Sequence, residues 1–213
     1  MDVIIITGTT NGLGEQLLKT LIEKYNFFTI SCSRKKCSNS KYHHNKIIDL
    51  SNIDKCKEID FNFLNDKMYK NIFFINNAFS SSIGTLGKCE DNYLEEVLNV
   101  NILSSLIIIN KLIKTKKLKK IINITSGIVG KTINNWGLYC CSKTFIELMM
   151  KHVNIENPSI EICNYDPGVF ESNIQEKLRN SNLENVNYFI ELKKNYKLTN
   201  ISLITNKIIS LLK

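Results

Sequence analysis

The first fourteen residues constrain the fold most. Val3-Ile4-Ile5-Ile6 is a continuous apolar run of β-branched type, the kind that fills a strand buried on both faces. Thr7-Gly8-Thr9-Thr10-Asn11-Gly12-Leu13-Gly14 follows, and then apolar residues recur at Leu13, Leu17, Leu18, Leu21 and Ile22, the period of one helical face. Strand, glycine-rich turn and helix in that order form a phosphate cradle. Backbone N–H groups and the helix N-terminus face an anion, and glycine lets the backbone approach it closely. The spacing is Gly-x-x-x-Gly-x-Gly, one residue longer than the usual dinucleotide fingerprint. The competing reading is a tight turn with no ligand.

The same order repeats down the chain. A second strand is predicted over residues 27–31, ending at Cys32-Ser33-Arg34-Lys35-Lys36. An NAD-preferring site offers an acidic residue here to the ribose hydroxyls; Arg34 and two lysines suit a 2′-phosphate instead, which favours NADP over NAD. The alternative is a basic loop in a lysine-rich chain. Further strands are predicted at 46–50, 69–75, 119–125 and 159–164, with a capped helix start at 51–54 and a long helix at 91–114 carrying Asn101 in its middle. A buried mid-helix Asn is mildly unfavourable and raises a functional question. Strands alternating with helices predict a doubly wound parallel sheet of about six strands, with ligands at the strands' carboxyl ends.

Two of the residues so placed carry chemistry. Tyr139 and Lys143 stand four apart, on one face of a helix running to about Val153. A free tyrosine, with a pKa of about 10, exchanges protons poorly at neutral pH. A cation held close favours the phenolate and lowers that pKa. Ser126 ends the run Ile121-Ile122-Asn123-Ile124-Thr125, where its hydroxyl can bond the same substrate oxygen that Tyr139 protonates. Together they form a proton-donating site for a carbonyl. Standing alone, a Tyr with a Lys four residues on is commonly a surface cation packed along a ring.

Composition excludes other classes. At 213 residues the chain holds one sizeable domain, 1–213, with 43% hydrophobic and 23% charged residues and no linker or repeat. The net charge of +8 includes six lysines within 111–120, but no aromatic residue accompanies them, so a solvated helix end is favoured over a nucleic-acid platform. Its longest apolar stretch, 106–109, is far too short for a bilayer. Seven cysteines in no framework spacing fit a reduced, cytoplasmic protein, and His43, His44 and His152 make no zinc-like spacing with them. No metal site, membrane or nucleic-acid partner is predicted.

With these pieces placed, the chain resembles the short-chain dehydrogenase/reductase family along almost its whole length, and within it the sepiapterin reductase and benzil reductase branch. The glycine motif matches Gly8, Gly12 and Gly14, the adenine-contacting Asp matches Asp49, and Asn-Asn-Ala-Gly appears as Asn76-Asn77-Ala78 with Phe79 in place of the glycine. Catalytic positions match Asn101, Ser126, Tyr139 and Lys143, and the turn beside the nicotinamide matches Pro167-Gly168. The resemblance implies a Rossmann-type fold and an NADPH-dependent carbonyl reductase acting on a small ketone, diketone or aldehyde. Cofactor contacts are then expected from Gly8, Thr10, Asn11, Gly12, Leu13, Gly14, Arg34, Asp49, Leu50, Asn77, Ala78, Tyr139, Lys143, Pro167, Gly168 and Val169. Asn101, through a kink in its helix, would hold a water linking Lys143 to solvent. Phe79, Trp136, Tyr165 and Phe170, with Ser126, are candidates for the substrate wall, and the polar segment 171–194 for a lid. The family pairs as homodimers through the helices near Asn101 and Tyr139. It also continues into a seventh strand where this sequence stops at Leu211-Leu212-Lys213. Rival readings are a non-catalytic NADP-binding sensor or scaffold and a 3-oxoacyl or sugar-ketone reductase.

Overall fold

The computed structural model describes every residue except 26, 36–40, 82, 181–185 and 213. Six strands form one parallel sheet: β1 (Val3–Thr7), β2 (Phe28–Ser33), β3 (His43–Ile47), β4 (Ile72–Asn76), β5 (Leu118–Ile124) and β6 (Glu161–Tyr165). Their order is β3-β2-β1-β4-β5-β6. Successive crossovers run one way from β1 to β3 and the other way from β4 to β6, which opens a crevice above the carboxyl ends of β1 and β4. This is the Rossmann arrangement that the alternating pattern predicts.

Two apolar layers hold the sheet. On one face Ile4, Ile6, Ile75 and Ile122 pack against helix α1 (Gly12–Lys24) and the last helix, Ile201–Ser210. On the other, Val3, Ile5, Phe74 and Ile121 meet the short helix α2 (Ile53–Glu58), helix α4 (Ser104–Lys114), which continues from α3 (Asp91–Leu98), and helix α5 (Gly137–Glu156). The strands β1 and β4 therefore read as near-continuous hydrophobic runs because neighbours cover both faces. By length and composition Asp91–Lys114 is apolar enough to cross a membrane. Here Val97, Ile108, Ile109 and Leu112 bury its apolar side in the core.

Two expectations shift. The third strand is His43–Ile47 rather than 46–50. Its register is fixed from Thr29↔His43 to Ser33↔Ile47, and His43 is buried with its Nε2 2.8 Å from Ser31 Oγ. Polar pairing across the strands, invisible to a hydrophobic pattern, sets that boundary. The predicted 91–114 helix is interrupted by a π-helical turn at Asn99–Leu103. Asn101 lies within this turn, at the place where a kink is expected, and such bulges gather at functional sites. Past β6 the polar segment forms helices α6 (Asn173–Arg179) and α7 (Val186–Lys194), with α8 (Ile201–Ser210) closing the described chain; 181–185 of the expected lid lie outside the described residues.

Candidate active site

A cavity of about 840 Å³ occupies the crevice, within the range of cofactor and ligand sites. The first turn and the turn after β4 are stapled together at its floor. Asn77 donates its side-chain amide to Thr7 O at 2.9 Å and Gly8 O at 3.1 Å. Thr7 Oγ1 in turn accepts from the Asn77 and Ala78 backbone N–H groups at 3.1 and 3.0 Å. A Cβ on Gly14 would lie 2.1 Å from Gly8 O, so only glycine lets α1 begin this close to β1. At Gly12, with φ +58°, a Cβ would meet nothing within 4 Å; the turn is bare on its cavity side. Asn11 sits at the N-cap of α1 without a side-chain cap bond. An open glycine cradle before a helix start left uncapped by its own side chains has the donor set a pyrophosphate needs.

Of the expected cofactor residues, Gly8, Thr10, Asn11, Gly12, Leu13, Gly14, Arg34, Asp49, Leu50, Asn77, Ala78, Pro167, Gly168 and Val169 all line this cavity. Arg34 is exposed just past the end of β2; Lys36 lies outside the described residues. Asp49 Oδ1 accepts from the Ser51 N–H and hydroxyl at 3.0 and 2.8 Å, so the carboxylate is held in a local turn.

At the other end Tyr139 stands near the start of α5, Lys143 one turn on, and Ser126 just past β5. Ser126 and Tyr139 both line the cavity, and the Ser126 hydroxyl is near enough to the phenol to favour its ionised form. Burial pushes the Tyr139 phenol above its usual range; Ser126 opposes this and Asp166 adds to it. Lys143 is buried, and burial drives its pKa down to about 7, with Asp166 pulling the other way. Its Nζ donates to Ile124 O at 2.7 Å and lies 4.0 Å over the ring of Phe79. Burial outweighs the lowering of Tyr139 expected from Lys143. The ammonium is engaged with a carbonyl and a ring face, and desolvation dominates the phenol.

Asn101 is buried in the π turn, and its amide clamps one residue from both sides. Ser80 N–H donates to Asn101 Oδ1 at 2.8 Å, and Asn101 Nδ2 donates to Ser80 O at 3.0 Å. A third contact, Nδ2 to Ser142 Oγ at 3.3 Å, ties it to α5. Asn101 therefore joins the strand-end turn that carries Phe79 to the helix that carries Tyr139.

Trp136 and Phe79 flank Tyr139 edge-to-face, with ring centroids 5.7 and 4.9 Å from it. Phe189 of α7 stacks on Trp136 at 5.8 Å, and Leu178 of α6 completes this cluster. Phe170 lines the cavity but also packs into the layer under α8. Tyr165 belongs to that layer and is not a cavity wall, because its strand position points it at the α1–α8 side. Sequence reasoning missed Phe189, Leu178 and Asp166. The first two lie in a segment whose polar composition hides their apolar neighbours one helical turn away, Ile174 for Leu178 and Leu192 for Phe189. Asp166 stands beside Pro167-Gly168, and its adjacency to that turn was a usable signal.

Fold and site together define a nucleotide-binding α/β oxidoreductase scaffold, and the short chain dehydrogenase family model matches residues 2–183; the chain belongs to that family. Among characterised relatives it is similar to benzil reductase ((S)-benzoin forming) of Bacillus cereus, 29% identical over 236 residues, covering 100% of this chain and 94% of that one. Rat sepiapterin reductase is 28% identical over 121 residues, covering 53% of this chain and 46% of that one. Among solved structures the KRED1-Pglu enzyme superposes with a TM-score of 0.85 at 17% identity, covering 99% of this chain and 94% of that one. 4-Hydroxyisoleucine dehydrogenase complexed with NADH gives 0.83 at 20% identity, covering 100% and 91%. The chain is thus an NAD(P)-dependent oxidoreductase of the CH–OH/C=O class.

Proposed function

We propose that the protein is an NADPH-dependent carbonyl reductase for small apolar ketones, diketones or aldehydes, aromatic ones foremost, with Tyr139 as the general acid. The observation that carries this reading is that one cavity is lined both by Ser126, Tyr139 and Lys143 and by an open glycine cradle, Gly8, Gly12 and Gly14. The bound nicotinamide would supply the hydride. Gly8, Gly12, Gly14 and Asn11 would hold the pyrophosphate, and Arg34 the 2′-phosphate. Ser126 bonds the substrate oxygen and stabilises the charge that develops there. Tyr139, kept protonated by burial, hands its proton to that oxygen. Lys143, while charged, electrostatically favours the resulting phenolate. Trp136, Phe79 and Phe189 exclude water and offer an aromatic wall, which agrees in character with the relative that reduces benzil.

The homodimer belongs to the same proposal. Phe145, Leu148 and Ile155 form an exposed apolar stripe along α5, and Leu98 and Leu103 are exposed just before the neighbouring π turn and at its last residue. The testing experiment mixes the protein with NADPH and a carbonyl panel that includes benzil, 1-phenyl-1,2-propanedione and simple aliphatic aldehydes. Loss of nicotinamide absorbance with the aromatic members is expected. A protein that binds NADPH yet oxidises it with none of the panel would favour a sensor or scaffold role.

A further inference from the structure

One aromatic ring touches both members of the proton-donating pair. Phe79 holds the Lys143 ammonium 4.0 Å over its ring centroid, and it packs at 89° to the Tyr139 ring with centroids 4.9 Å apart. The residue is not free to drift. Its turn is pinned on one side by Asn77 bonded to Thr7 and Gly8, and on the other by the two-point grip of Asn101 on Ser80. The groups facing the ammonium are few. Ile124 O accepts from it at 2.7 Å, the Phe79 ring covers it, and Asp166, from the turn after β6, acts on it through charge alone; Tyr139 shares its helix.

We propose that Phe79 is a positioning residue that substitutes a π face for water around the buried Lys143 ammonium and so sets both its direction and its protonation at the site. This inference deepens the carbonyl-reductase reading and rests on it for its meaning in catalysis. The physical content is a balance. Burial strips water from the ammonium and drives its pKa down to about 7. The negative face of an aromatic ring returns part of that lost solvation, and its effect is largest where water is excluded. A leucine at 79 would keep the apolar wall but remove the face. Lys143 would then lose its proton at lower pH, and less of it would be charged when Tyr139 must give up its own.

The test reads Lys143 directly in the cofactor-free protein. Lysine labelled at the ε-carbon is followed by NMR across pH, with Lys143 assigned by its disappearance in Lys143→Arg. In the parent chain the Lys143 ε-proton signal should sit upfield of the other lysines, displaced by the ring beneath it, and titrate near its lowered midpoint. Phe79→Leu should abolish the displacement and lower the midpoint by about one pH unit. Phe79→Tyr, which keeps the ring, should preserve both. Asp166→Asn should lower the midpoint yet leave the displacement intact. Should Phe79→Leu not fold, Phe79→Met fills similar space and carries the same expectation. In the carbonyl assay the high-pH limb of the rate should move down with the midpoint in Phe79→Leu. An undisplaced Lys143 signal in the parent, or an unchanged midpoint in both the Leu and Met variants, overturns the proposal. If the NMR behaves as expected and no carbonyl is reduced, the positioning role stands and the reductase reading fails.

Discussion

At the scale of single residues the site turns on how buried charge is managed. Lys143 enters the folded state with its pKa down at about 7, against an ordinary lysine's 10.5. Below pH 7 both folded and unfolded chains carry this charge, and the folded one bears the full penalty of burying it. Between 7 and 10.5 the unfolded chain binds the extra proton, so stability rises with pH across that window. Lys143→Met should therefore stabilise the fold at pH 6 by an amount on the order of 1–4 kcal/mol, read as a higher melting temperature, while abolishing carbonyl reduction. A lower melting temperature at pH 6 would mean the ammonium's bond to Ile124 O outweighs its desolvation. Reduction by the parent chain should also decline as pH rises through about 7, because Lys143 loses its charge there while Tyr139, pushed up, keeps its proton. A rate that stays flat to pH 9 would contradict this. Arg34 supports a second test. Arg34→Asp should weaken NADPH binding by roughly tenfold or more relative to NADH, since a 2′-phosphate loses its cation and meets a like charge. Isothermal titration with each cofactor measures that ratio.

At the scale of elements the decisive geometry is where turns touch. Gly14→Ala would place a Cβ 2.1 Å from Gly8 O and 2.9 Å from Gly8 C, where backbone cannot yield, and 2.5 Å from Asn77 Nδ2. Its expected result is loss of cofactor binding together with a melting temperature several degrees lower, read by thermal unfolding with and without NADPH. A variant that binds NADPH normally would show that the first turn is not the cradle. The sequence made this element legible because glycine spacing and helical period are local signals. It left others hidden for the same reason. The β3 boundary depends on His43 and Asn45 bonding Ser31 across strands twelve or more residues away. A polar ladder, Asn76 to Asn123 to Asn164 with Ser105 bonding Asn76, crosses three strands at 2.8–3.0 Å, and no pattern along one strand announces it. Helices α6 and α7 carry their apolar anchors, Ile174, Leu178 and Phe189, among asparagines and lysines. Asn101 was legible as a position and not as a role: its partners at Ser80 and Ser142 are 21 and 41 residues distant.

For the whole molecule, six strands bring Tyr139, Lys143 and the glycine cradle to one crevice, and the sheet order makes that crevice unavoidable. The apolar stripe on α5 is the surface that such a sheet leaves unburied. If it pairs two copies, Leu148→Lys should convert a dimer to a monomer in sedimentation, because two lysines would have to be desolvated in the contact. A parent chain that sediments as a monomer would assign those exposed side chains no partner. The central claim is narrower, that the phenol of Tyr139 delivers the proton. Its most direct measurement compares the parent with Tyr139→Phe in NADPH oxidation by benzil at saturating cofactor, with NADPH affinity measured alongside. The account predicts turnover lower by about 10²–10⁴ with cofactor affinity unchanged within a few-fold; equal turnover in the two proteins would contradict it.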